Sequence, residues 1–223
     1  MIKKLCFTAI FLAVFAAIPA GAQERFLRPV DEGPEDASFT AFRTKLRAAV
    51  EKRDAAFIYS ILDPRIMLSF GGSQGLKDFK QNWKIENKRS DFWPAMKAVI
   101  ENGGHFDREN AVRSNSFWAP YTFNGWPQDL DAFEYAAIFG KDVNVREAPG
   151  KTAKVVAQLS YNIVKAEYGE PRGDKISEWA KITTLGGITG YVHTDYIRSP
   201  IDLRANFEKK RGVWKMTTFI AGD

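Results

Sequence analysis

The chain has 223 residues, 45% of them hydrophobic and 13% aromatic, and a formal net charge of +5. Its mean hydropathy of −0.30 is that of a soluble globular chain with material for one large or two small domains. The single cysteine, Cys6, lies in an apolar N-terminal run, which excludes disulfides, a thiol nucleophile, Cys-ligated zinc and iron–sulfur clusters from the rest of the chain.

Met1-Ile2-Lys3-Lys4 is a short basic start, Leu5 to Ile18 an almost unbroken apolar run, and Ala20-Gly21-Ala22 a small-x-small pattern that signal peptidase accepts. Residues 1–22 therefore read as a secretory signal peptide. Their apolar run is too short for a comfortable membrane span and no other stretch is long enough, so no transmembrane segment is expected after their removal. Cleavage removes two lysines and no acid, lowering the net charge by two. The expected location is the periplasm, with the extracellular space second. So small a charge suits an anionic envelope polymer and gives no reason to expect nucleic acid as a partner.

Residues 23–37 are polar and proline-containing, an extended lead-in. Ser38 is placed to cap a helix whose apolar positions Phe39, Phe42, Leu46 and Val50 recur at spacings of three and four. A second helical stretch starts at Asp54 and stops at Asp63-Pro64, because proline cannot continue a helix and pushes the residue before it toward extended geometry. Arg65 to Phe70 reads as a strand and Gly71-Gly72 as a turn. Leu76–Asn87 and Ser90–Glu101 are further helical patterns, the second ended by Asn102-Gly103-Gly104. Phe117 to Trp126 is aromatic and broken by proline, a strand running into a turn. Residues 38–132 thus form a helical α+β domain.

From Phe133 to Ser199 the pattern changes to short Val-, Ile- and Tyr-rich runs separated by Gly, Pro, Asn and Asp, an all-β module. Residues 200–223 contain one hairpin signal, Ala205–Lys210 and Val213–Ile220 flanking Arg211-Gly212. The fold class is α+β: a helical N-terminal domain with a small sheet, a small β-barrel, and a C-terminal hairpin that returns to complete the first domain's sheet against residues 65–70 or 117–123.

The β module resembles the bacterial SH3 (SH3b) family. Asp142-Val143-Asn144-Val145-Arg146-Glu147-Ala148-Pro149 is similar to that family's opening strand and turn, Trp179-Ala180-Lys181-Ile182 to its WxKV strand, Gly187 to His193 to its GKTGWVH segment, and Asp195-Tyr196-Ile197 to its closing DYL. Tyr191 stands where tryptophan is usual, and Gly169–Glu178 lengthens one loop. The resemblance implies a small open barrel that binds peptidoglycan, peptide or envelope proteins, and implies no cofactor. Flat rings bury area at little entropic cost, so an extended ligand is expected against Tyr168, Trp179, Tyr191 and Tyr196, with Asn144, Glu167 and His193 as polar neighbours. The competing reading has Trp179, Tyr191 and Tyr196 fill the barrel interior. Arg146 reads as a turn partner within the fold. The remainder of the chain resembles, more faintly, the NTF2-like α+β folds, whose terminal hairpin Phe207–Met216 is similar to.

Other chemistry is weakly signalled. Gly71-Gly72-Ser73-Gln74-Gly75 fits the G-x-S-x-G turn of serine hydrolases, with Ser73 as the catalytic candidate. The only histidines available to it are His105 and His193, and the mostly helical chain before Ser73 lacks the strands of that fold. Gly75 is not followed directly by lysine, so the segment is no phosphate loop. No histidine pair has metal-binding spacing, and the acidic group Asp129, Asp131 and Glu134 lacks the glycine and length of a calcium loop, so no metal site is expected. Phe117, Trp118, Tyr121, Phe123 and Trp126 serve either as a cleft lining or as glue between the domains. The function that results is non-catalytic binding of peptidoglycan or an envelope protein through the β module. A Ser73 hydrolase and an NTF2-like small-ligand pocket are the alternatives.

Overall fold

The structure, a computed structural model, describes residues 23–108, 115–168 and 177–222. The signal-peptide segment and most of the Gly169–Glu178 insert lie outside these residues. A 3-10 turn at Gly33–Glu35 leads into α1 (Ala37–Lys52). The helix is capped by Asp36, whose carboxylate accepts from the Phe39 amide at 2.8 Å. This corrects the expectation for Ser38. That side chain sits inside the first turn, where its hydroxyl accepts from the Trp214 indole at 3.0 Å and the Lys209 ammonium at 2.7 Å.

Next come α2 (Ala55–Ile61), β1 (Leu62–Met67), α3 (Gly75–Trp83), α4 (Phe92–Ile100), β2 (His105–Phe106), β3 (Ser116–Ala119) and the single turn α5 (Tyr121–Asn124). Strand β1 starts before Pro64, earlier than the Arg65 expected. It lies at a sheet edge, where an imide without a donor costs no ladder bond. Helix α3 ends early because Lys84 turns left-handed (φ 44°) and sends Ile85 into the core, fully buried.

After the strands β4 (Tyr135–Ile138) to β10 (Ile197–Arg198), the chain closes with β11 (Arg204–Lys210) and β12 (Val213–Ile220). Arg211 and Gly212 both take positive φ (51° and 82°), the turn that matches the twist of a two-residue hairpin. The hairpin forms the centre of a five-stranded sheet ordered β1-β12-β11-β3-β2. β11 pairs antiparallel with β3 (Phe207 opposite Phe117), and β12 runs parallel to β1 (Leu62 opposite Met216). Both pairings expected as alternatives are present together. The helices cover one face of this sheet, and Phe39, Leu46, Ile58, Phe79, Phe92, Met96, Phe117 and Phe207 fill the interior, each at most 1% exposed. An NTF2-like ligand pocket would occupy that same space.

The remaining strands form a seven-stranded sheet ordered β10-β4-β7-β8-β9-β5-β6, with β5 at Val143–Arg146, β6 at Val155–Leu159, β7 at Ile163–Tyr168, β8 at Trp179–Thr184 and β9 at Thr189–His193. A small cluster of Leu27, Tyr121, Ala137 and Ile163 joins the two units, with Trp126 and Phe139 packed on it. The Tyr121 and Phe139 rings stack at 5.6 Å. The lead-in ties the same junction: the Leu27 amide donates to Tyr161 O and the Ile163 amide to Arg25 O, both at 2.8 Å, before Asp31 bridges to Gly104. Among the described residues no helix is long and apolar enough to cross a membrane.

Candidate binding groove

Alternation along β5, β8 and β9 sets the two faces of this part of the seven-stranded sheet. Val143 and Val145 on β5, Ala180 and Ile182 on β8, and Val192 on β9 point inward, and with Ala136, Ile138, Leu159, Val164 and Ile197 they make a core that contains no aromatic side chain. Their neighbours Asn144, Arg146, Trp179, Lys181, Tyr191 and His193 are therefore on the outer face. Cross-strand register sets them in rows: Trp179 lies opposite His193, and Glu167, Lys181, Tyr191 and Arg146 follow one another across four strands. Gly190 makes this possible, because a Cβ there would stand 2.5 Å from Val145 Cγ1 and 2.7 Å from the Arg146 carbonyl oxygen. The reading in which Trp179, Tyr191 and Tyr196 fill the barrel is overturned, since the aliphatic side chains already close it.

Beside the first row lies a depression of about 420 Å³. Trp179, His193 and Tyr196 line one side, and Asn144, Arg146, Lys141 and Lys151 the other. The Trp179 and His193 rings meet edge to face at 5.3 Å, and Tyr196 follows at 6.3 Å with half of its surface open to solvent. His193 Nδ1 is turned toward Asp195, 3.3 Å from both its amide nitrogen and its carboxylate Oδ2. Asn144 Oδ1 accepts from Gln158 Nε2 at 3.0 Å, which orients the Asn144 amide. Arg146 donates from Nη1 to Ala153 O at 2.6 Å, so it holds the β5–β6 turn and lines the groove at once. Asp142 turns the chain into β5 with a left-handed backbone (φ 52°), its amide donating to Ser160 Oγ at 2.9 Å. That strained turn sets Lys141 at the rim.

Of the expected site residues, Asn144, Trp179, His193 and Tyr196 come together in the groove. Tyr191 shares their face one row away, and Glu167 lies further along the same row, with Lys181 Nζ at 3.6 Å. Tyr168 is not brought to the groove: it pairs with inward-facing Ala180, on the opposite face from Trp179, and its phenol feels the charges of Asp202 and Arg198. Lys141, Arg146 and Lys151 were missed. Exposed lysines around a turn carry no pattern, and Arg146 was read for its structural role alone; period-two alternation along β5 was the signal that placed it beside Asn144.

The other chemical candidates resolve into local structure. Ser73 Oγ donates to Asp78 Oδ2 at 3.2 Å and accepts from Asn82 at 3.3 Å, while the Gln74 amide also uses Asp78. His105 faces Glu32 at 3.7 Å and His193 faces Asp195 at 3.3 Å, so among the described residues no Ser73 triad is assembled. Asp129 forms a two-pronged pair with Arg25 (2.6 and 3.0 Å), Asp131 accepts from the Phe133 amide, and Glu134 pairs with Lys165. Among the described residues no cluster of three His, Cys, Asp or Glu side chains is placed to hold a metal. Of the aromatic run, Phe117 belongs to the main core, and Tyr121 and Trp126 to the junction between the units.

The sequence model of the bacterial SH3 domain matches residues 141–198, the stretch that contains every groove-lining residue. No curated protein matches the chain.

Proposed function

We propose that this is an exported, non-catalytic envelope protein whose bacterial SH3 domain binds peptidoglycan through the groove of Asn144, Trp179, His193 and Tyr196. An envelope protein is the second candidate partner. The observation that carries the reading is the separation of roles within the barrel: aliphatic side chains close the core, which leaves three rings grouped around an open concavity with polar groups among them. Rings placed this way take the flat or apolar part of an extended ligand, while the polar groups fix its orientation. Secretion through residues 1–22 would deliver the domain to the compartment where such ligands occur.

The test is co-sedimentation of the mature chain with purified sacculi at low and high salt, beside a Trp179→Ala/Tyr196→Ala variant verified as folded. Salt-resistant binding that the variant loses is the expected result. Binding abolished by salt would reduce the interaction to the pull of a weakly cationic protein on an anionic polymer. Absence of binding would transfer the groove to a protein partner.

A further inference from the structure

We infer that the groove's occupant is a carboxylate-bearing peptide segment and that Lys141, Arg146 and Lys151 select it over a neutral glycan strand. The inference rests on the groove being the binding site, and it adds the chemical class of the ligand. Its basis is an inventory of what the groove offers. With Oδ1 of Asn144 already occupied by Gln158, the amide presents its N–H₂ group. With Nδ1 of His193 turned to Asp195, the imidazole presents its Nε2 edge. The Trp179 indole is a donor only, and Lys141, Lys151 and the unused guanidinium nitrogens of Arg146 are charged donors.

Two carboxylates also border the site and offset part of its positive charge. Asp142 is turned to Ser160, whose hydroxyl lies 3.4 Å from its Oδ1. Asp195 faces His193 and is mostly in solvent. The groove is therefore rich in donors, and its three cations outnumber its two carboxylates. A sugar hydroxyl accepts from such donors but also brings an O–H that a donor-rich array leaves without an acceptor. A carboxylate only accepts, and it forms shorter and stronger bonds with ammonium and guanidinium groups. The distribution fits a short acidic peptide whose carboxylates face Lys141, Arg146 and Lys151 while a side chain or the backbone lies across Trp179 and Tyr196. Such a peptide has two sources in the envelope, the peptides of the wall polymer and an acidic segment of a protein.

The experiment titrates the isotope-labelled mature chain, followed by NMR, with three probes. These are acetyl-Ala-Glu-Ala with a free C-terminus, its neutral counterpart acetyl-Ala-Gln-Ala-amide, and a neutral N-acetylglucosamine tetramer. The acid is expected to shift the Asn144 amide and Trp179 indole signals, with the neutral peptide weaker by about tenfold and the sugar weaker still. Lys141→Gln/Lys151→Gln, two exposed positions whose replacement leaves the fold intact, should erase the difference between the two peptides. Equal binding of acid and neutral peptide, tighter binding of the sugar, or no effect of the double variant would overturn the inference.

Sacculi separate its failure from that of the groove itself. Trp179-dependent sedimentation without a preference for the acid defeats the carboxylate assignment alone, whereas loss of both defeats the groove. Sacculi stripped of their peptides distinguish the sources. Sedimentation abolished by stripping places the acid in the wall, and acid binding without any sedimentation places it in a protein.

Discussion

Under the five-stranded sheet the core packs rings together with aliphatic side chains such as Leu46, Ile58 and Ile66. Phe39 lies 4.2 Å from Phe117 and 4.9 Å from Trp214, and Phe92 packs against Phe79 and Phe219. The seven-stranded sheet encloses valine, isoleucine, leucine and alanine, while Trp179, His193 and Tyr196 stand outside around the groove. The contrast follows from the spaces to be filled. Helices lying on a sheet leave a wide gap that large side chains occupy well, while the interior of a small barrel-like sheet has room only for short branched ones. An aromatic residue is therefore structural in one unit and available for binding in the other.

The sharpest way to break this comparison is to remove one ring from each unit. Phe207→Ala should lower stability by about 3–5 kcal/mol in denaturant unfolding, because it opens a cavity in a packed core. Trp179→Ala should cost less than about 1 kcal/mol and abolish ligand binding. A large stability loss from Trp179→Ala would show that the outer rings hold the barrel together after all.

A smaller effect is expected from Gly190→Ala, about 1–3 kcal/mol, since its Cβ would meet the Arg146 carbonyl, which is backbone and cannot swing aside. Hydrogen exchange should show the loss in β5 and β9 and spare the five-stranded sheet. Uniform deprotection would mean that the two units unfold as one.

The gentlest probe is acid. Burial works against ionisation of Asp31 and Asp63, but the Arg43 guanidinium beside Asp31 (2.6 and 2.9 Å) and the Lys210 ammonium beside Asp63 (2.7 Å) outweigh it, so both carboxyls are held below the usual aspartate range. A depressed folded-state value stabilises above the unfolded value and is lost as pH falls through the folded one. Stability should hold above about pH 5 and decline below about pH 4. Both pairs are partly open to solvent, so each should contribute only about 1 kcal/mol. Both also lie in the five-stranded unit, so hydrogen exchange in acid should loosen α1 and β1 before the barrel strands. Arg43→Met should flatten much of that decline.

Much of this was legible in residue patterns because it depends on local rules. Alternation along β5, β8 and β9, the Arg211-Gly212 turn, and helix stops at Pro64 and Gly103 each act through near neighbours. Element ends were less legible where a tertiary contact decided them, as for β1, which tolerates Pro64 only because it sits at an edge, and for α3, which stops so that Ile85 can be buried. The groove was half legible. Trp179, His193, Tyr196 and Asn144 stand in blocks with a family resemblance, whereas Lys141 and Lys151 join it only through the turns on either side of β5.

By itself the sequence determined the order of elements, the absence of cysteine chemistry beyond residue 6, and the barrel module, because hydrophobic period and turn chemistry are written residue by residue. Only the tertiary structure decided that the C-terminal hairpin occupies the centre of the first sheet, that the lead-in ties both units together, that Tyr168 turns away from the rings it was grouped with, and that charged donors face those rings across an open groove. These depend on contacts between residues far apart in the chain, and no local pattern records which distant partner a strand edge or a charged side chain will meet.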